Sequence, residues 1–150
     1  MIKNNEPYLI EYNVRMGDPE CQTILPLLDN DFVEILECCM NENLGKISLN
    51  WKNKKSICIV LCSKGYPENY EKNILIENLE KFKNDDHQFI FHAGTKFENS
   101  KYYSVGGRVL NFVSLDVDFK NARKKSLDCI KRLKWQNGHF RNDIGYKVID

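Results

Sequence analysis

Between Glu11 and Glu20 the chain reads Glu-Tyr-Asn-Val-Arg-Met-Gly-Asp-Pro-Glu, with a carboxylate, a carboxamide and a guanidinium at alternate positions leading into a turn. In an extended strand alternate side chains share one face. Glu11, Asn13 and Arg15 would then project together while Tyr12 and Val14 pack on the other side. The oxygens of Glu11 and Asn13 are hard donors suited to a divalent ion such as Mg²⁺, which takes one or two protein oxygens alongside substrate phosphates. The fork of donors on Arg15 fits phosphate oxygens in pairs. Gly17 and the helix start Asp18-Pro19 would present backbone N–H groups, an arrangement favourable to an anion. Each piece also has a plain structural reading: a hydrogen-bonded strand edge for Glu11 and Asn13, a loop anchor to Asp18 or Glu20 for Arg15, a simple turn for Gly17.

The elements that must hold these groups can be read from periodicity and punctuation. Tyr8 to Asn13 is expected as a strand, preceded by a polar turn at Lys3 to Pro7, which suits the second arm of a hairpin. Asp18-Pro19 offers an N-cap and a proline at the first helical position, and Pro26 keeps that helix short. Asp31 followed by Glu34 resembles a capping box for a second helix through about Asn43, with Phe32, Ile35, Leu36 and Cys39 on its buried side and Gly45 ending it. Strands are expected at Ser56 to Ser63, Gln88 to His92 and Arg108 to Leu115, with turns at Gly65 to Asn69 and Asn99 to Lys101. From Asp118 to Trp135 the positions Phe119, Ala122, Ser126, Cys129, Ile130 and Leu133 recur at steps of three and four, the spacing of an amphipathic helix. The fold class is therefore α+β, an antiparallel sheet covered by helices.

Bulk properties narrow the function. A chain of 150 residues, 42% hydrophobic and 29% charged, suffices for an ordinary packed core. Its 22 basic and 21 acidic residues leave a net charge of +1, without the field that draws a protein to nucleic acid. Arg123-Lys124-Lys125 reads as a solvated helix face. Apolar runs such as Ile57 to Cys62 are far too short to span a membrane, and a cytoplasmic protein with neither membrane nor nucleic-acid partner is expected. The six cysteines lack a Cys-x-x-Cys pair and are expected to be buried reduced thiols. Three scattered histidines give no zinc spacing, and His92 is read as packed or hydrogen-bonded rather than catalytic.

Taken together, Glu-x-Asn-x-Arg leading into Gly-Asp-Pro-Glu resembles the signature of phosphoribosylamine-glycine ligase, also called glycinamide ribonucleotide synthetase, an ATP-grasp family of purine biosynthesis. Gly65-Tyr66-Pro67, His92-Ala93-Gly94-Thr95, Gly106-Gly107-Arg108-Val109-Leu110 and Arg141-Asn142-Asp143-Ile144-Gly145 follow in the family's order, so the resemblance covers nearly the whole chain. Lys64 departs from it, standing where the family commonly has a further glycine. Family enzymes are much longer, and the chain aligns with their C-terminal part.

The resemblance implies a fold: a remnant of the ATP-grasp domain over residues 1–44, then the ligase's C-terminal domain over 45–150. It implies a reaction, the joining of glycine to 5-phosphoribosylamine with release of ADP and phosphate through a glycyl phosphate. By carry-over, Glu11 and Asn13 are metal ligands for Mg²⁺ or Mn²⁺, Arg15 is the catalytic and substrate-binding residue, and Gly17 and Asp18 contact substrate. Gly65 to Pro67 and Gly106-Gly107 are turns first, and Arg108 is a further residue able to reach the site. Since the ATP-grasp lysine and phosphate loop would lie upstream of Met1, the chain alone is expected to be inactive. The alternative is a non-catalytic interaction module that pairs with a separately encoded N-terminal part; a weaker one is an ATP-grasp ligase acting on another acid.

Overall fold

A computed structural model describes residues 1–149. Its centre is a four-stranded antiparallel sheet built on two nine-residue strands, here β3 (Lys55–Ser63) and β8 (Arg108–Asp116). Both are rich in β-branched and large apolar residues, and they pair from Lys55 opposite Asp116 onwards. The outer places are taken by β5 (Gln88–His92) beside β8 and the two-residue β9 (Gly138–His139) beside β3. A second sheet has the order β4 (Ile74–Ile76), β7 (Lys101–Ser104), β6 (Thr95–Glu98). A third is the small hairpin of β1 (Ile2–Lys3) and β2 (Glu6–Pro7).

Three helices accompany the sheets: α1 (Glu20–Ile24), α2 (Phe32–Met40) and α3 (Phe119–Leu133). The last follows its sequence pattern closely. Asp118 accepts from the Asn121 N–H at 2.7 Å, Lys134 closes the helix at φ +56°, and Ala122, Ser126, Cys129, Ile130 and Leu133 are buried. This stripe lies on Ile57, Ile59 and Leu61 of β3 and on Leu110 and Phe112 of β8, forming the core. Ser126 Oγ donates to Ser114 Oγ at 2.9 Å across the same interface.

Strand alternation then sends Cys58, Val60, Asn111 and Val113 to the opposite face. On that face lie α1 and the turn Leu25–Leu27, against β3. The sheet is thus covered from both sides, by α3 and by the N-terminal segment. Residues 48–52 bond back to that segment: Leu28 bridges Trp51, Lys52 N–H donates to Leu27 O at 2.8 Å, and Asn30 Oδ1 accepts from the Asn50 N–H at 2.6 Å.

The predicted strands at 56–63, 88–92 and 108–115 and the helix at 118–135 are found within two residues of expectation. Other expectations need correction. Tyr8 to Asn13 is not a strand but exposed irregular chain. The hairpin is present, turning at Asn4 and Asn5 with φ of +51° and +64°. Its ladder stops once Met1 and Tyr8 have exchanged bonds, because no described strand lies beside the residues that follow. Helix α2 is capped by Asp31, whose Oδ1 accepts from the Val33 N–H at 2.7 Å. It ends at Met40 rather than Asn43, and Glu42 at φ +55°, not Gly45, carries the left-handed turn. Its expected buried face is largely open: Ile35 is half-buried, but Phe32 is 41% and Leu36 46% exposed, and Cys39 is exposed as well. Apolar periodicity marks a face that prefers cover, and the described chain offers none there.

Among the described residues no helix is long and apolar enough to cross a membrane. All six cysteines are free, with Cys129 buried, Cys39 exposed and the other four in between.

Candidate functional site

The run from Glu11 to Glu20 meets the four-stranded sheet at Asp18, opposite the first residue of β8. Asn13 Nδ2 donates to Glu11 Oε1 at 2.8 Å, so the two side chains do share a side although their backbone is not in a ladder. Arg15 is exposed and its Nη1 donates to the carbonyl of Met16 at 2.7 Å. Glu20 Oε2 accepts from the Gly17 N–H at 2.9 Å. Asp18 is not the side-chain cap expected of it: Pro19 precedes α1 directly and no side chain caps the helix. Asp18 instead bonds sideways, its Oδ1 accepting from Gln22 Nε2 at 3.0 Å.

Across from this run stands Arg108, named in the sequence as a further residue able to reach the site. Its Nη2 lies 3.1 Å from Asp18 Oδ2 and its Nη1 donates to the Asp18 carbonyl at 3.1 Å. The loop anchor considered for Arg15 is therefore supplied by a residue ninety positions away in sequence.

Three glycine motifs converge where β8 begins. Gly94 N–H donates to Arg108 O at 2.9 Å, and the Val105 N–H donates to Gly94 O at 2.8 Å. Backbones approach so closely that a β-carbon on Gly94 would stand 2.6 Å from Gly106 Cα. Ser63 N–H donates to Gly107 O at 2.8 Å, Ser63 Oγ to Gly106 O at 3.0 Å, and Tyr66 covers Gly107. Gly65 to Pro67 and Gly106-Gly107 form turns or bends, as expected, and with Gly94 they shape the base from which Arg108 emerges. His92 also behaves as expected: its Nδ1 is 2.8 Å from Thr95 Oγ1, it lies beside Tyr102, and partial burial holds it below the ordinary histidine value.

Beneath the run, Cys58 is partly buried. Burial first, and the Asp18 carboxylate second, push its thiol from 9.0 up to about 12, so it is no nucleophile at neutral pH. Asn111, fully buried on this same face, has no hydrogen-bond partner for either side-chain polar atom among the described residues. The signal that singles it out in sequence is a lone carboxamide inside Val109-Leu110-Asn111-Phe112-Val113.

Whether a divalent ion fits can be judged from Glu11 and Asn13. Among the described residues there is no cluster of three or more histidine, cysteine or acidic side chains, so an all-protein cage is not available. The Glu11 and Asn13 termini are 2.8 Å apart, close to the roughly 2.9 Å edge of an octahedron with Mg–O bonds of about 2.0–2.1 Å. Rotating the Asn13 amide would put its oxygen in the place of its nitrogen. This donor set suits Mg²⁺ or Mn²⁺ carrying substrate phosphate, and lacks the nitrogen and sulfur ligands of a zinc site.

Several known proteins are similar to this chain. A ligase from Fusobacterium nucleatum subsp. nucleatum, phosphoribosylamine–glycine ligase, is 42% identical over 146 residues, covering 97% of this chain and 34% of that protein. The bifunctional purine biosynthetic protein of Dictyostelium discoideum is 38% identical over 143 residues, or 95% of this chain and 18% of that one. The crystal structure of phosphoribosylamine–glycine ligase from Thermotoga maritima superposes with a TM-score of 0.73 at 27% identity, covering 97% of this chain and 35% of that chain. The chain spans about a third of the length of the ligases it matches. Residues 56–147 match the family model described as phosphoribosylglycinamide synthetase, C domain, and the chain therefore belongs to that family.

Proposed function

We propose that this chain is the C-terminal part of an ATP-dependent ligase that joins glycine to 5-phosphoribosylamine, giving glycinamide ribonucleotide, ADP and phosphate. The observation that carries the proposal is 42% identity over 97% of the chain to an enzyme of that name, together with the adjacent side-chain ends of Glu11 and Asn13. In this reading residues 1–44 complete an ATP-grasp domain and 45–150 form the C-terminal domain. Glu11 and Asn13 hold Mg²⁺ or Mn²⁺, which when bound neutralises charge on the phosphates of ATP. Arg15, free to swing from its bond with Met16, meets the transferring phosphoryl group, and Gly17 and Asp18 line the approach to substrate. The protein supplies positioning and charge, and the substrate amine is the nucleophile.

The exposed apolar side chains of the N-terminal segment support an incomplete unit. Tyr12, Val14, Phe32, Val33, Leu36 and Met40 are between 41% and 103% exposed, more apolar surface than a lone domain usually leaves open. The same observation favours the second reading, a non-catalytic module whose work is to pair with an upstream part.

A chimera separates the two. The last third of the Fusobacterium nucleatum ligase is replaced by this chain, and ADP release is followed with and without glycine and phosphoribosylamine. The ligase reading expects release that needs both substrates and is lost in Glu11→Gln, and none from the chain alone. A folded chimera without activity would sink that reading and leave the pairing module. Release by the isolated chain would overturn both.

A further inference from the structure

Arg108 faces Asp18 because β8 is irregular at its first residues. Pairing runs in step from Lys55 opposite Asp116 to Leu61 opposite Leu110, and then Cys62 pairs with Arg108, so Val109 is an extra residue. Such a bulge re-aims the side chains beyond it. Without it, Arg108 would share a face with Leu110 and Phe112 and would enter the core under α3. With it, fully buried Val109 joins that core and Arg108 turns with Cys62 towards the N-terminal segment.

A charge placed this way has a defined task. Among the described residues, Arg108 supplies every hydrogen bond and ion pair between residues 8–20 and the two larger sheets. It grips Asp18 twice, at the carbonyl and at the carboxylate, while Gln22 holds the other carboxylate oxygen. Asp18 lies three positions after Arg15 and five after Asn13, and that stretch has no ladder of its own.

We propose that Arg108 is a positioning residue: acting through Asp18, it registers the Glu11 to Glu20 run against the four-stranded sheet, so that the bulge in β8 sets where the metal- and phosphate-binding groups lie. The grip stands on geometry, and only its catalytic consequence rests on the ligase reading. A lysine would not replace it, since one ammonium cannot reproduce the forked contact with carbonyl and carboxylate.

The test has two arms. In the first, amide exchange is measured on the full chain for Arg108→Gln, Arg108→Lys, Asp18→Asn and the Arg108→Gln/Asp18→Asn pair. Exchange over Gly17 to Ile24 should quicken by about two- to fivefold in each single variant, as for a half-exposed ion pair. The double variant should show no further change, and β3 and β8 should be unaffected. Unchanged exchange in Arg108→Gln, or effects that add in the double variant, would overturn the grip.

In the second arm the same variants are placed in the chimera. The proposal expects Arg108→Gln and Asp18→Asn to lower kcat by a similar factor, about tenfold, and to raise the Mg²⁺ needed for half-maximal rate. In Arg108→Gln the KM for phosphoribosylamine should stay put. A KM rise confined to Arg108→Gln would make Arg108 a substrate contact and overturn the positioning role. A chimera without activity would count against the ligase reading alone, because the exchange arm still decides the grip.

Discussion

The ring of Tyr66 lies so close to Gly107 that a β-carbon built there would stand 2.1 Å from Tyr66 Cδ2 and 2.5 Å from Cε2. Gly107 has no positive φ, so its role is room rather than backbone freedom. Gly107→Ala should therefore cost about 1–3 kcal/mol by overpacking. In urea melts, Tyr66→Ala/Gly107→Ala should lose less than the sum of its parts, because the small residue at 66 removes the collision. Strict additivity would show that Gly107 is needed for another reason.

Two buried hydroxyls, on Ser114 and Ser126, satisfy one another between the sheet and α3. Ser126→Ala leaves Ser114 without its donor and should cost roughly 1–3 kcal/mol, whereas replacing both by alanine should cost less than the two single changes combined. A double-mutant cycle on denaturant midpoints measures the coupling.

Phe112 and Phe32 sit at opposite extremes of burial, at 1% and 41% exposed. Phe112→Ala opens a cavity between sheet and α3 and should destabilise the isolated chain by about 3–5 kcal/mol. Phe32→Ser should change the isolated chain by less than about 0.5 kcal/mol, yet lower the melting temperature of the chimera, where upstream sequence is expected to cover α2. Equal effects of Phe32→Ser in both settings would count against that cover.

Cys58 gives a pH signature. Its thiol is raised from 9.0 to about 12, chiefly by burial, so the folded chain holds its proton where the unfolded chain has lost it. The resulting stabilisation is fully present below about pH 9 and is lost as pH rises towards 12. Compared at about pH 8 and about pH 10.5, the fall in urea midpoint should be smaller for Cys58→Ala than for the parent. Alkylation at pH 8 should reach exposed Cys39 well before Cys58.

Much of the fold is legible in the sequence where both partners of a contact belong to the chain. The period of Phe119 to Leu133 and the β-branched and aromatic residues of β3, β5 and β8 name their elements because each buries its apolar face against another part of the same 150 residues. The short strands β4, β6, β7 and β9 have too few residues for a period to show, and only pairing with β7 or β3 defines them.

For the site, residue order and spacing suffice to name the family and to bring Glu11, Asn13 and Arg15 forward as a group. Sequence cannot say that Tyr8 to Asn13 stays out of a ladder, since strand propensity is realised only beside a neighbouring strand. Nor can it show that Arg108, rather than Arg15, holds Asp18. That choice depends on one extra residue in the pairing of β8 with β3, which turns a core-facing position outward. Register of this kind is a property of two strands far apart in the chain, and only the tertiary structure decides it.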